Sequence, residues 1–114
     1  IADDALFMRA SIKKLLTESG HQVVGEAENG LVAIAKYQQE KPDLVMLDIT
    51  MPEMDGLAAL REIMTADGAA RVVICSALGQ ESKVREAIEL GARDYVVKPF
   101  MPAKLLDAVR RALA

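Results

Sequence analysis

Apolar positions along this chain follow two alternating rhythms, one helical and one extended. From Leu6 to Ser19, residues Met8, Ile12, Leu15 and Leu16 fall on one face of a helix, and Gly20 is placed to end it. A short extended stretch, about Gln22 to Ala27, comes next. Asn29-Gly30 makes a turn into a second helix carrying Ala33, Ile34 and Tyr37 on one side, and Pro42 stops it before the strand Leu44 to Asp48. A third helix begins near Asp55-Gly56, with Leu57, Leu60, Ile63 and Met64 at helical spacing and Gly68 just past its end. The pattern then predicts a strand over Val72 to Cys75 and a helix over Glu81 to Leu90 closed by Gly91. A strand over Tyr95 to Val97 follows, and last a helix over Pro102 to Leu113 with Pro102 in its first turn.

No linker, repeat or low-complexity tract interrupts this alternation, so residues 1–114 predict a single domain. Strands of Val, Ile, Leu and Met without polar alternation are buried on both faces, as happens when helices cover both sides of a parallel sheet. With Ile1-Ala2-Asp3-Asp4 read as the tail of a first strand, the expectation is a doubly wound α/β domain with five parallel strands. In such sheets the functional site lies outside the carboxyl ends of the strands.

Composition narrows the function classes. Of the 114 residues 52% are hydrophobic, enough for one core. The net charge is -3, with Lys and Arg scattered along the chain, which argues against direct nucleic-acid binding. Apolar runs such as Leu44 to Leu47 are strand length, well short of the ~20 residues that span a bilayer. Two aspartates stand where a signal peptide would carry positive charge, so the expectation is a soluble cytoplasmic protein away from membranes. The single cysteine, Cys75, reads as a small hydrophobe on a buried strand, with no adjoining cation to make it reactive.

The strand ends carry the chemistry. Asp3 and Asp4 follow the first strand, Asp48 closes the third, Ser76 the fourth and Lys98 the fifth. Two carboxylates about 5 Å apart repel by roughly 3 kcal/mol at an effective dielectric constant of about 20. Three of them against one Lys therefore call for a cation. Oxygen ligands without a His or Cys cluster favour Mg²⁺, or Mn²⁺, and the lone His21 reads as a solvated turn residue rather than a zinc ligand. A carboxylate beside a divalent ion, a Lys and a hydroxyl suits attack on phosphorus. This assigns Asp48 as nucleophile, Asp3 and Asp4 as metal site, Ser76 as donor to the phosphoryl group and Lys98 as counter-ion. Helix capping is the competing role for Ser76, whereas for the helix after Asp48 the better-placed cap is Asp55.

Asp3-Asp4 after an apolar residue, Asp48 followed by Met51-Pro52-Glu53-Met54-Asp55-Gly56, Ser76-Ala77, and Lys98-Pro99-Phe100 together resemble the receiver domain of two-component response regulators. Within that family, Asp48-Ile49-Thr50-Met51 and Cys75-Ser76-Ala77-Leu78-Gly79-Gln80 are most similar to the free-standing chemotaxis regulators. The resemblance implies a flavodoxin-like (βα)5 fold with strand order 2-1-3-4-5. It implies a histidine kinase as phosphodonor, and an output protein such as the flagellar motor switch, with a phosphatase as a further partner. At the metal it implies the main-chain carbonyl of Thr50 beside Asp4 and Asp48, with Asp3 acting through water. A cis peptide before Pro99 is implied too, as is a switch in which Tyr95 swings inward while Ser76 moves toward the phosphate. The alternative for Tyr95 is packing on an edge strand. Thr50 and Leu78, each two residues beyond a site residue, are placed to shape water access. Receivers carry more residues before the acidic pair, so the first strand reads as truncated here: the numbered chain is trimmed, or the segment is swapped or packed differently. A molecule that truly began at Ile1 would leave apolar surface and unpaired backbone on both neighbours.

Other classes stay open. A receiver cut from a larger DNA-binding regulator or kinase would carry the same motifs. A haloacid dehalogenase-like phosphatase also uses an aspartate at a strand end, but it needs a second Asp two residues on, where this chain has Thr50. A nucleotide- or flavin-binding protein would want a Gly-rich phosphate loop, and none follows any strand.

Overall fold

The computed structural model describes residues 1–114. Eight elements run in the order α1 (Leu6–Glu18), α2 (Gly30–Glu40), β1 (Val45–Asp48), α3 (Gly56–Ala66), β2 (Val72–Ser76), α4 (Glu81–Leu90), β3 (Asp94–Val97) and α5 (Pro102–Leu113). All five expected helices form within a residue or two of their expected ends. The strands pair in parallel in the order β1-β2-β3, with Asp48 opposite Cys75 and Ser76 opposite Val97.

Alternate residues of β1 and β2 enter different cores, because successive side chains of a strand point to opposite faces. Val45, Leu47, Val72 and Ile74 join Leu60 and Ile63 of α3, Ala33 and Tyr37 of α2 and Val84 and Ala87 of α4 in one cluster. Met46, Val73, Cys75 and Val96 join Ile12 and Leu16 of α1 and Leu105, Ala108, Val109 and Ala112 of α5 in the other. Three layers result, with helices on both faces of a buried sheet, as the unbroken apolar runs predicted. No helix is long and apolar enough to cross a membrane.

Two strand expectations need correction. Gln22 to Ala27 forms no continuous strand; only Ala27 makes a parallel bridge, to Ala2, which itself bridges to Leu47 on its other side. The reason is the partner: Ile1–Asp3 supplies the backbone groups that Gly25 and Ala27 use, and residues 21–24 have no ladder beside them. A cavity of about 560 Å³ lies beside this segment, lined by Val23, Val24, Leu44, Met46 and Arg71 among others. The second correction concerns β3, which is not buried on both faces. Its Val96 is buried while Tyr95 and Val97 are exposed, as befits an edge strand with helix α5 against one side only.

Candidate functional site

Hydrogen-bond ladders carry the polar residues to one edge. The amide of Asp48 donates to the carbonyl of Ala2 at 2.9 Å, which sets Asp3 and Asp4 beside the end of β1. On the other side Ile49 N donates to Cys75 O, and Lys98 N donates to Ser76 O at 2.7 Å, so Ser76 and Lys98 arrive at the same level. The peptide between Lys98 and Pro99 is cis, as the resemblance implied.

The five expected side chains do not all occupy equivalent places. Lys98 Nζ lies 2.7 Å from Asp3 Oδ2 and 3.2 Å from Asp48 Oδ2, bridging the two carboxylates. Asp3 is 1% exposed and its second oxygen accepts from the amide of Ala5 at 2.9 Å, so both of its oxygens are engaged inside the protein. Asp4 faces solvent and makes no hydrogen bond or ion pair. Carboxylate oxygens of Asp3, Asp4 and Asp48 lie within 4.8 Å of one another. Ser76 is buried at the end of β2, and since Gln80 is the residue that precedes α4, Ser76 does not cap that helix. Asp55 caps α3 by accepting from Ala58 N at 2.8 Å, which leaves Asp48 free of that work. Tyr95 points outward and is 46% exposed. Cys75 and His21 fall where expected: the thiol is buried on β2 and pushed up to about 12 by that burial, and the imidazole is exposed.

The electrostatics are those of a site built for a cation. Burial raises the pKa of Asp48 above the ordinary carboxylate range; Lys98 opposes the shift, while Asp3 and Asp4 add to it. For Lys98 burial is the largest single influence and pulls downward, but the hydrogen bond to Asp3 and the charges of Asp48 and Asp3 together outweigh it, so its pKa is raised. One ammonium against three carboxylates leaves the pocket negative. The donor set is all hard oxygen, and the carbonyl of Thr50 accepts no hydrogen bond from the protein. These residues fit Mg²⁺ or Mn²⁺.

The loop that follows β1 is anchored from below. Ile49 and Met51 are buried, and Gly56 N donates to Ile49 O at 2.7 Å. Helix α3 starts so near the end of β1 that a Cβ on Gly56 would sit 2.0 Å from the carbonyl oxygen of Asp48. Only glycine permits that approach. Three contributors had no signal strong enough to name them from the sequence. Arg9 donates to the carbonyl of Asp3 at 2.7 Å and pairs with Glu26, holding the acidic turn. The amide of Ala5 is a local partner of Asp3. Gln80 donates to Thr50 Oγ1 at 2.9 Å and accepts from Ala77 N at 2.7 Å. For Gln80 the hints were its place at the end of the Cys75-to-Gln80 motif and the preceding Gly79, whose φ is 88°.

An acid pocket at the carboxyl edge of a doubly wound sheet, bridged by a lysine from the last strand end, defines a phosphoacceptor domain of two-component signalling. The chain belongs to the response regulator receiver domain family, whose model matches residues 1–110. Among its relatives, chemotaxis protein CheY of Bacillus subtilis (strain 168) is 53% identical over 99% of this chain and 94% of that protein. CheY of Thermotoga maritima is 50% identical over 97% of this chain and 92% of its own. Among solved structures, that of a CheX-CheY-BeF3-Mg complex from Borrelia burgdorferi superposes with a TM-score of 0.94 at 38% identity, covering 99% of this chain and 86% of that one.

Proposed function

We propose that this receiver is a chemotaxis response regulator switched by phosphorylation of Asp48. The observation that carries the reading is the position of Lys98 Nζ, shared between Asp3 and Asp48 at the sheet edge, which marks where negative charge is to be concentrated and neutralised. A carboxylate oxygen of Asp48 attacks phosphorus of the donor; the new O–P bond forms as the bond to the donor breaks, and the donor's atom leaves with the electron pair. In dephosphorylation, water attacks the same phosphorus, the Asp48 O–P bond breaks with its electrons returning to the carboxylate, and both protons of the water leave with inorganic phosphate. Lys98 balances charge on the transferring group and Ser76 donates to one of its oxygens. Asp4, Asp48 and the Thr50 carbonyl would hold Mg²⁺, with Asp3 acting through water, and the ion would supply charge neutralisation at the phosphoryl oxygens.

The protein then catalyses only its own phosphorylation and dephosphorylation. A histidine kinase supplies the phosphoryl group, a phosphatase shortens its lifetime, and an output protein such as the flagellar switch reads the result. The coverage of the CheY relatives from end to end supports reading residues 1–114 as one receiver domain. The bridges of Ala2 to Ala27 and to Leu47 support the five-strand order 2-1-3-4-5. Exposed Tyr95 on β3 and buried Ser76 on β2 form the switch, moving together when Asp48 carries phosphate.

Incubation with acetyl phosphate and Mg²⁺ tests the proposal. The expected result is a mass gain of one phosphoryl group that is lost in Asp48→Asn and abolished by chelating the metal. Phosphate uptake by Asp48→Asn, or none by the wild type, overturns it.

A further inference from the structure

Two loops flank Asp48 at the sheet edge: the one leaving β1 through Thr50 and the one leaving β2 through Ala77. A single side chain joins them by hydrogen bonds. Gln80 reaches back from the start of α4, its Nε2 donating to Thr50 Oγ1 at 2.9 Å and its Oε1 accepting from the amide of Ala77 at 2.7 Å. Both ends of the carboxamide are used. As the residue preceding α4, Gln80 stands where a polar side chain usually serves its own helix by accepting from the first free amides. Here it makes no such cap, and α4 goes without one. Its hydrogen-bonding capacity is spent on the two loops instead, across a sequence separation of 30 residues to Thr50. Thr50 and Ala77 are exposed, so this bond pair lies on the solvent side of the acid pocket, whereas Lys98 closes the pocket from within.

We propose that Gln80 is a positioning residue of the aspartyl site, whose carboxamide clasps the Thr50 and Ala77 loops and thereby sets the opening through which phosphodonor and water reach Asp48. The inference rests on the assignment of Asp48 as phosphoacceptor. A donor or a water in line with the Asp48 O–P bond must enter from solvent, because the floor of the site is buried sheet. The clasp narrows that entrance without touching the reacting atoms. It also restrains the segment that contains Ser76 and Ala77, so both uptake and loss of phosphate pass through the same restriction. Leu78, two residues beyond Ser76 and 78% exposed, is not among the side chains hydrogen-bonded in this clasp.

Gln80→Ala is expected to raise both the rate of phosphorylation by acetyl phosphate and the rate of spontaneous hydrolysis by similar factors, about threefold to tenfold, the scale of the two exposed hydrogen bonds lost. The phosphorylated fraction at steady state then stays nearly constant while turnover quickens. Gln80→Asn, with the same amide but one methylene fewer, cannot span both loops and behaves like Gln80→Ala. Thr50→Val has a similar effect, and the Thr50→Val, Gln80→Ala double variant shows no further gain, because the two residues act through one clasp. Amide hydrogen exchange at Ala77 speeds up in each Gln80 variant, a readout that needs no phosphoryl group. Rates that are unchanged or reduced in Gln80→Ala, effects that add in the double variant, or unaltered exchange at Ala77 overturn the proposal. A wild type that takes up no phosphate overturns instead the functional assignment beneath it, and Ala77 exchange still reports whether the clasp exists.

Discussion

Leu47 and Asp48 are neighbours on one strand, both buried, and they are held there for opposite reasons. Leu47 is fully enclosed by apolar partners from α2 and α3, and every atom of it removed from water favours the folded state. Asp48 is 6% exposed, its carboxylate held against its preference for water and crowded by Asp3 and Asp4. Within one residue the strand passes from stabilising the fold to carrying a charge that works against it. The centre of the sheet is therefore the part that tolerates the edge, and substitutions on either side of this boundary should act in opposite directions.

The junction between the two regions is the most sensitive point. Gly56→Val should leave the protein unfolded or cost more than about 4 kcal/mol, since the new side chain must displace the backbone of Asp48 and Ile49. Circular dichroism on heating reads this directly, and near-native stability would show that the approach of α3 to β1 is not fixed. Within the centre, Leu47→Ala should lower stability by about 2–5 kcal/mol, visible as a fall in the urea midpoint. At the edge the sign reverses: Asp48→Asn should raise the stability of the metal-free protein at pH 7, by less than Leu47→Ala lowers it, because burial and the charges of Asp3 and Asp4 outweigh the help of Lys98.

The pH dependence gives that last contrast its sharpest form. A carboxyl whose folded pKa is raised stabilises the fold fully below its unfolded value, and that contribution is lost as pH rises through the folded value. The advantage of Asp48→Asn should thus be present at neutral pH and shrink as the medium is acidified toward the ordinary carboxylate range. An advantage independent of pH would assign the effect to packing rather than charge.

The five helices were legible because each writes its own signal: apolar spacing on one face, Asn29 or Asp55 at the start, Gly91 or Pro42 at the stop. The polar strand ends were legible because each ladder of apolar residues ends at one of them. Gln22 to Ala27 has equal strand character by composition, yet it forms no ladder, because a strand exists only where a neighbour offers its backbone. The exposed face of β3 is a matter of position in the sheet, which Tyr95 to Val97 cannot encode alone.

At the site the division is similar. The sequence by itself determined which residue types meet at the carboxyl edge, because side chains at strand ends follow from the alternation of helices and strands. Only the tertiary structure decided how they divide the work. It buries Asp3 on Lys98 and leaves Asp4 in solvent, although the two are adjacent and chemically identical. It brings Arg9 to the site from a position that carries no motif, and turns Gln80, the last residue of the Cys75-to-Gln80 motif, onto Thr50. The physical reason is range: helix periodicity and capping act over a few residues, whereas charge pairing and loop clasping depend on distances between segments that only folding brings together.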